Sequence, residues 1–137
     1  MLMWLEGIDA VTDGGYMGTT NALIARATVS TQSFGRSSNF AAVSTGGTMS
    51  NDLNGWSRIA SNGYTPYVSG TSLGFANTSS AAIPNAEFEL GRAGAATTAP
   101  GIKFSFACWG AGLTDAQVTT LRARVSALRA AVAASSY

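Results

Sequence analysis

Short apolar runs broken by Gly, Asn and Ser clusters fill the chain to about residue 112, and one apolar stripe at helical spacing fills the rest. Runs of about four to eight residues bounded by turn-forming clusters read as β-strands. The pattern predicts strands over Ala22–Val29, Phe40–Ser44, Trp56–Ala60, Tyr64–Val68, Ser72–Ala76, Glu87–Gly91 and Lys103–Trp109. Ser61-Asn62-Gly63 separates the third from the fourth, and an Asn-Gly pair is a strong hairpin signal because both residues tolerate φ > 0. Pro66 has no N–H to give to a ladder, which predicts an edge or a bulge for Tyr64–Val68. Gly70 then turns the chain into Ser72–Ala76, and Gly94–Gly101, with Pro100, reads as a flexible loop. Lys103–Trp109 alternates, with Phe104, Phe106 and Cys108 on one face and Ser105, Ala107 and Trp109 on the other. The first face is the predicted core face.

The helix start is marked by chemistry rather than by pattern alone. Thr114 is the predicted N-cap and Gln117, at N3, completes a capping box. Leu113 before the cap is placed to pack on Val118 as a hydrophobic staple. Asp115 in the first turn suits the positive end of the helix dipole. Leu121, Val125, Leu128 and Val132 recur at spacings of four, three and four, forming one apolar stripe for the chain's own sheet or a neighbouring subunit. Arg122 and Arg129 lie off that stripe.

Composition narrows the class. A chain of 137 residues suggests one domain. Charged residues make up 11% of it, and Ala, Ser, Thr and Gly together about half. Low charge with mean hydropathy +0.16 argues against disorder. A net charge of +1, with Lys103 the one lysine and the arginines scattered, argues against nucleic acid as a partner. Met1–Leu5 is apolar but is followed by Glu6 and Asp9 and preceded by no basic segment, so it does not read as a signal peptide. No stretch is long and apolar enough to predict a membrane span.

The absence of histidine excludes a Ser-His-Asp triad, a Cys-His pair and histidine metal ligands. A single cysteine, Cys108, excludes an internal disulfide and a Cys-cluster zinc site, and it reads as a small buried apolar residue. Glu87 and Glu89 share a strand face at a spacing compatible with a glycosidase pair, but a solvent-facing pair of charges fits them better. Asp13-Gly14-Gly15 could close a calcium turn, yet with Asp9 and Glu6 it supplies too few oxygen ligands, and a plain turn is expected. The expectation is therefore no enzyme, no cofactor and no metal. Trp56, Tyr64, Tyr67 and Trp109 are the candidate glycan or interface aromatics.

Several segments together resemble the concanavalin A/laminin-G-like jelly-roll domains of bacteriophage tail and virion proteins. Phe104–Cys108, Gly110–Gly112 and Leu113–Gln117, with Leu121 following, match the family's final strand, glycine turn and L-T-D-A-Q helix start. Upstream, Ser57-Arg58, Tyr67-Val68-Ser69-Gly70, Ala82-Ile83-Pro84-Asn85 and Glu89-Leu90-Gly91 resemble its earlier strands and turns. The resemblance covers about residues 20–137 and is strongest over 56–128. It implies a two-sheet sandwich used for binding or assembly, and it carries over no catalytic residue. Such domains have a longer part ahead of the segment matching Tyr16–Val29. The expectation is that their first strands are missing, or are supplied by Met1–Gly15 and a neighbouring subunit.

The expected fold is all-β, an antiparallel jelly-roll-like sandwich with a C-terminal helix over about 115–134. Residues 1–15 form an N-terminal segment and candidate intersubunit arm, and 16–137 the domain itself. The expected function is that of a non-catalytic structural protein on a bacteriophage virion, most simply a capsid decoration protein. A carbohydrate-binding module for host adsorption is the alternative. Partners are copies of the chain in a dimer or trimer, other virion proteins and, on the alternative reading, a host glycan, with neither nucleic acid nor membrane. Met1, Leu2, Trp4, Leu5 and Ile8 are the candidate subunit contacts, because an apolar terminus of this kind marks a contact surface.

Overall fold

Strand-forming runs and tight turns alternate along the chain until a capped helix closes it. The computed structural model describes residues 2–6, 14–19, 22–26, 32–34, 43–45, 51–77, 89–90 and 103–135. Among them are eleven strands, β1 (Leu2–Glu6), β2 (Gly14–Thr19), β3 (Ala22–Arg26), β4 (Gln32–Phe34), β5 (Val43–Thr45), β6 (Leu53–Ala60), β7 (Gly63–Val68), β8 (Thr71–Ser72), β9 (Ala76–Asn77), β10 (Glu89–Leu90) and β11 (Lys103–Cys108), and one helix, α1 (Asp115–Ala134). One sheet runs β11-β1-β6-β7-β8, with β9 also on β7, and a second runs β10-β2-β3-β4-β5. Every pairing is antiparallel. The chain is thus β-rich with one C-terminal helix.

The N-terminal segment is where expectation and structure part. β1 lies inside the first sheet, between β11 and β6, and Leu2, Met3, Trp4 and Leu5 are all buried within the chain. An interior strand with both faces covered reads as a continuous apolar run rather than an alternating one. Leu2-Met3-Trp4-Leu5 is such a run, so it forms the chain's own core instead of an intersubunit arm. Met1 and Ile8 lie outside the described residues.

Local turn chemistry decides the β6–β7–β8 meander. The predicted hairpin forms, but Ser61 and Asn62 make the turn and neither Asn62 nor Gly63 has positive φ. Gly63 is needed for space: a Cβ there would stand 2.2 Å from the Phe75 ring and 2.4 Å from the Ala76 carbonyl oxygen. The next turn is of the left-handed kind, with φ of 52° at Ser69 and 68° at Gly70, as a two-residue hairpin requires. β7 is an interior strand, contrary to the edge that Pro66 suggests. The Pro66 carbonyl accepts from Leu73 N (2.9 Å), so its missing N–H faces the gap between the two-residue strands β8 and β9. The expected strand Ser72–Ala76 is divided by that gap.

β11 also departs from simple alternation. Opposite β1 its register shifts between Trp4 and Leu5, so that Phe106 lies across from Trp4 but Phe104 across from Leu5. The extra residue is Ser105. A bulge of this kind shifts side chains between faces. Phe106 and Cys108 therefore pack on the helix-side core, while Phe104 is exposed.

The helix begins as its sequence dictates. Thr114 has extended backbone (φ −71°, ψ 164°), its Oγ1 accepts from Gln117 N (3.4 Å), and Gln117 Oε1 accepts from Thr114 N (2.8 Å). Leu113 and Val118 join one cluster with Leu2, Trp4, Leu53, Tyr67 and Val125. The face turned to the sheet keeps only the first half of the predicted stripe, Leu121 and Val125. It carries Asp115, Val118, Arg122, Val125 and Arg129, which bond to or pack on groups of the sheet, whereas Leu128 and Val132 are each 61% exposed. The two arginines dock on carboxylates of the sheet, and that rotates the helix away from its most apolar side. Twenty residues of helix also span ~30 Å, against ~17 Å for the five residues of β1, so the last turns run past the strand beneath.

Candidate functional site

The helix rests on the sheet through polar anchors, and a cleft opens between them. Ser57 Oγ accepts from Leu113 N (2.6 Å) and donates to Leu113 O (2.7 Å), fixing the segment just before the N-cap. Arg122 Nε donates to both oxygens of Asp52 (2.9 and 3.1 Å), and Nη2 adds a second contact to Oδ2. Arg129 Nε donates to Glu6 Oε1 (2.7 Å), and its guanidinium lies 4.6 Å from the centre of the Trp4 ring.

The β7–β8 turn forms the opposite wall. Gly70 N donates to Leu53 O (2.7 Å), and the buried Asn54 joins the turn to Asp52 by accepting from Ser69 N (3.4 Å) and donating to Asp52 O (2.6 Å). Gly70 is demanded twice over, by its positive φ and because a Cβ would lie 2.2 Å from Arg122 Cδ. Arg122 thus packs directly over the turn. Between them lies a cavity of about 350 Å³ bordered by Tyr67, Thr71, Ser72, Asp115, Thr119 and Arg122. A recess of about 250 Å³ adjoins it, sharing Thr119 and Arg122 and adding Trp4, Ala123 and Ser126.

Electrostatics fix the protonation states in this cleft. Burial, reinforced by the hydrogen bond to Asp115, pushes the Tyr67 phenol well above its ordinary pKa, so it remains a donor to Asp115 Oδ1. Partial burial raises the Asp52 carboxyl, but bonds from Arg122 and the Leu53 N–H outweigh it and hold the group below its ordinary value. Asp52 in turn raises the Arg122 pKa. Burial raises the Cys108 thiol, which is the wrong direction for a reactive cysteine.

No protein-family model, no curated protein and no solved structure matches the chain. The site is therefore read from its own chemistry.

The sequence-predicted aromatics do not meet in one place. Tyr64 and Tyr67 are each 1% exposed and offer no ring face to a ligand. Trp56 is half-buried and edge-on to Tyr64, with centroids 6.0 Å apart, while Arg58 lies over the Tyr64 ring. Trp109 is 58% exposed. Glu87 lies outside the described residues, as do Asp9 and Asp13, and Glu89 is described only as a backbone partner of Gly18. Among the described residues no group of three or more acidic, Cys or His side chains could hold a metal. No helix among them is long and apolar enough to cross a membrane.

Sequence reasoning missed Asp52, Arg122, Asp115 and Ser57. One signal was present. Asp115, Val118, Arg122, Val125 and Arg129 follow spacings of three, four, three and four, so the arginines share a face with the valines. A separate groove of about 380 Å³ runs along α1, lined by Leu113, Ala116, Gln117, Thr120, Leu121 and Arg124.

Proposed function

We propose that the chain is a non-catalytic structural protein on the surface of a bacteriophage particle, packing through protein–protein contacts as a capsid decoration protein does. The observation that carries this reading is the apolar surface left exposed along α1. Leu128 and Val132 are each 61% exposed and stand on the same helix as the apolar groove beside Leu113 and Leu121. Apolar surface of this kind, rimmed by polar residues, marks an interaction site. The particle itself is suggested by the resemblance of residues 56–128 to phage jelly-roll domains.

The finer architecture belongs to the same proposal. We read the two sheets as layers of a jelly-roll-like sandwich. Supporting this, the side of the first sheet opposite the helix also buries its residues, among them Met3, Leu5 and Tyr64. A sheet covered on both faces needs a second layer.

Density-gradient purification of particles tests the function. The expected result is the chain at a fixed ratio to the shell protein, and loss of a folded Leu128→Glu/Val132→Glu variant from the particle. Recovery of the wild-type chain only from the soluble lysate refutes the reading. The polar cleft favours a second reading, a carbohydrate-binding module.

A further inference from the structure

The sequence holds two Asn-Gly pairs, Asn54-Gly55 and Asn62-Gly63, and the fold treats them oppositely. Asn54 lies on β6, an interior strand held between β1 and β7. It is fully buried, opposite Met3 of β1, and its side chain donates to Asp52 O (2.6 Å) and accepts from Ser69 N (3.4 Å). Asn62 lies at the tip of the β6–β7 hairpin, where the ladder closes at Ala60 and Gly63 and leaves Ser61 and Asn62 as an exposed turn. The Asn62 side chain makes no hydrogen bond among the described residues. Arg58 Nη1 reaches the turn with a bond to Ser61 O of 3.4 Å, longer than the ordinary range.

An asparagine followed by glycine holds an electrophile and a nucleophile side by side. The deprotonated backbone nitrogen of the glycine attacks the asparagine Cγ, and glycine hinders that approach least because it has no Cβ. The new N–Cγ bond closes a five-membered succinimide ring, the Cγ–Nδ2 bond breaks, and the amide nitrogen takes up a proton and leaves as ammonia. Water then opens the ring. Attack at Cγ gives aspartate; attack at the backbone carbonyl carbon gives isoaspartate, whose main chain runs through Cγ. The net change is amide plus water to carboxylate plus ammonium, with no oxidant or reductant. Ring closure requires the asparagine backbone to rotate. A turn tip rotates by local opening, whereas an interior strand has to leave its sheet first.

We propose that Asn62 is a site of spontaneous deamidation in the folded chain, with water as co-reactant, and that the fold protects Asn54. One neutral side chain becomes a carboxylate, so the net charge falls from +1 to 0. Isoaspartate also adds an atom to the backbone next to Gly63. That residue has no room to shift, since a Cβ on it would stand 2.2 Å from the Phe75 ring and 2.4 Å from Ala76 O. The isoaspartyl form therefore has a loosened hairpin, whereas aspartate alters charge alone on a turn that Arg58 already reaches.

Trypsin separates the two pairs, because Arg58 lies between them and cleavage yields peptides 37–58 and 59–92. The full-length chain is incubated from neutral to mildly alkaline pH, natively and in urea, and the peptides are followed by mass. Isoaspartate is counted with an isoaspartyl-specific carboxyl methyltransferase and a labelled methyl donor. In the native chain, 59–92 should gain the mass of amide-to-acid exchange at least ~tenfold faster than 37–58, because an interior strand opens far less often than a turn tip. The rate should rise with hydroxide, and in urea the two peptides should react alike. Asn62→Ser should abolish the gain in 59–92. Equal native rates for the two peptides, no native gain in 59–92 despite a gain in urea, or a gain that survives Asn62→Ser would each overturn the site. Ion exchange then isolates the isoaspartyl form, which should unfold at lower urea than an Asn62→Asp variant. Equal midpoints would overturn the loosening of the hairpin.

Discussion

Replacing Ser57 by alanine should detach the start of α1 from the sheet. Ser57 lies on the face of β6 that carries Leu53 and is 5% exposed. Its hydroxyl serves both halves of one residue's backbone, accepting from Leu113 N at 2.6 Å and donating to Leu113 O at 2.7 Å. Each such bond contributes about 0.5–1.5 kcal/mol net, so the pair gives ~2 kcal/mol. Leu113 is half-buried, so water can replace part of what is lost, and the unpaired groups add little beyond that sum. Against a typical stability of ~5–15 kcal/mol the loss is large. With roughly 4 °C per kcal/mol for a chain of this size, the thermal midpoint should fall by about 8 °C. Urea unfolding followed by circular dichroism and tryptophan fluorescence measures it, and an unchanged m-value shows that stability alone has moved. Ser61→Ala, in the exposed β6–β7 turn, is the control and should stay within ~0.5 kcal/mol of wild type. A Ser57→Ala loss no greater than that of the control would mean that Leu113 is not held by this hydroxyl.

Thr114→Ala should cost ~1 kcal/mol, within the ~0.5–2 kcal/mol range for a lost N-cap, and an unchanged thermal midpoint would refute the cap. Gly70→Ala places a Cβ at φ +68° and 2.2 Å from Arg122 Cδ; it should destabilise by about 1–3 kcal/mol in urea unfolding, and a neutral result would show that the turn and Arg122 are not in contact. Acid should weaken the fold through Glu6 and Asp52. Glu6 is held below its ordinary 4.5 by hydrogen bonds from Ser105 and then Arg129. Asp52 is held below 3.8 because Arg122 and Leu53 N outweigh its partial burial. Both carboxyls therefore bind protons more weakly folded than unfolded. Their contribution is complete above those ordinary values and is lost as pH falls through the lower folded ones. Urea midpoints measured from neutral pH downward should drop across that window, and less so in an Arg122→Met/Arg129→Met variant; equal slopes would show that the pairs are not linked to folding.

What the sequence determined by itself is the part written in neighbouring residues. The Thr114–Gln117 capping box, the Ser61–Asn62 hairpin and the turn at Gly70 each depend on at most four consecutive residues, whose backbone preferences act before any tertiary contact exists. Runs bounded by turn-forming clusters, such as Trp56–Ala60 and Tyr64–Val68, were legible for the same reason. β1 was not, because Leu2-Met3-Trp4-Leu5 has no alternation, and an apolar run does not reveal whether its cover comes from the same chain or another. Tertiary structure alone decided which helix face meets the sheet. Apolar periodicity favoured Leu121, Val125, Leu128 and Val132, but Asp52 lies 70 residues from Arg122 and Glu6 lies 123 from Arg129. Those ion pairs exist only once β1 and β6 stand side by side beneath the helix, and the bulge at Ser105 likewise follows from pairing β11 with β1. The cleft with Asp115, Thr119, Arg122 and Trp4 inherits this dependence. Its residues come from β1, the β7–β8 turn and α1, and no local pattern joins them; only the packing of the helix on the sheet does.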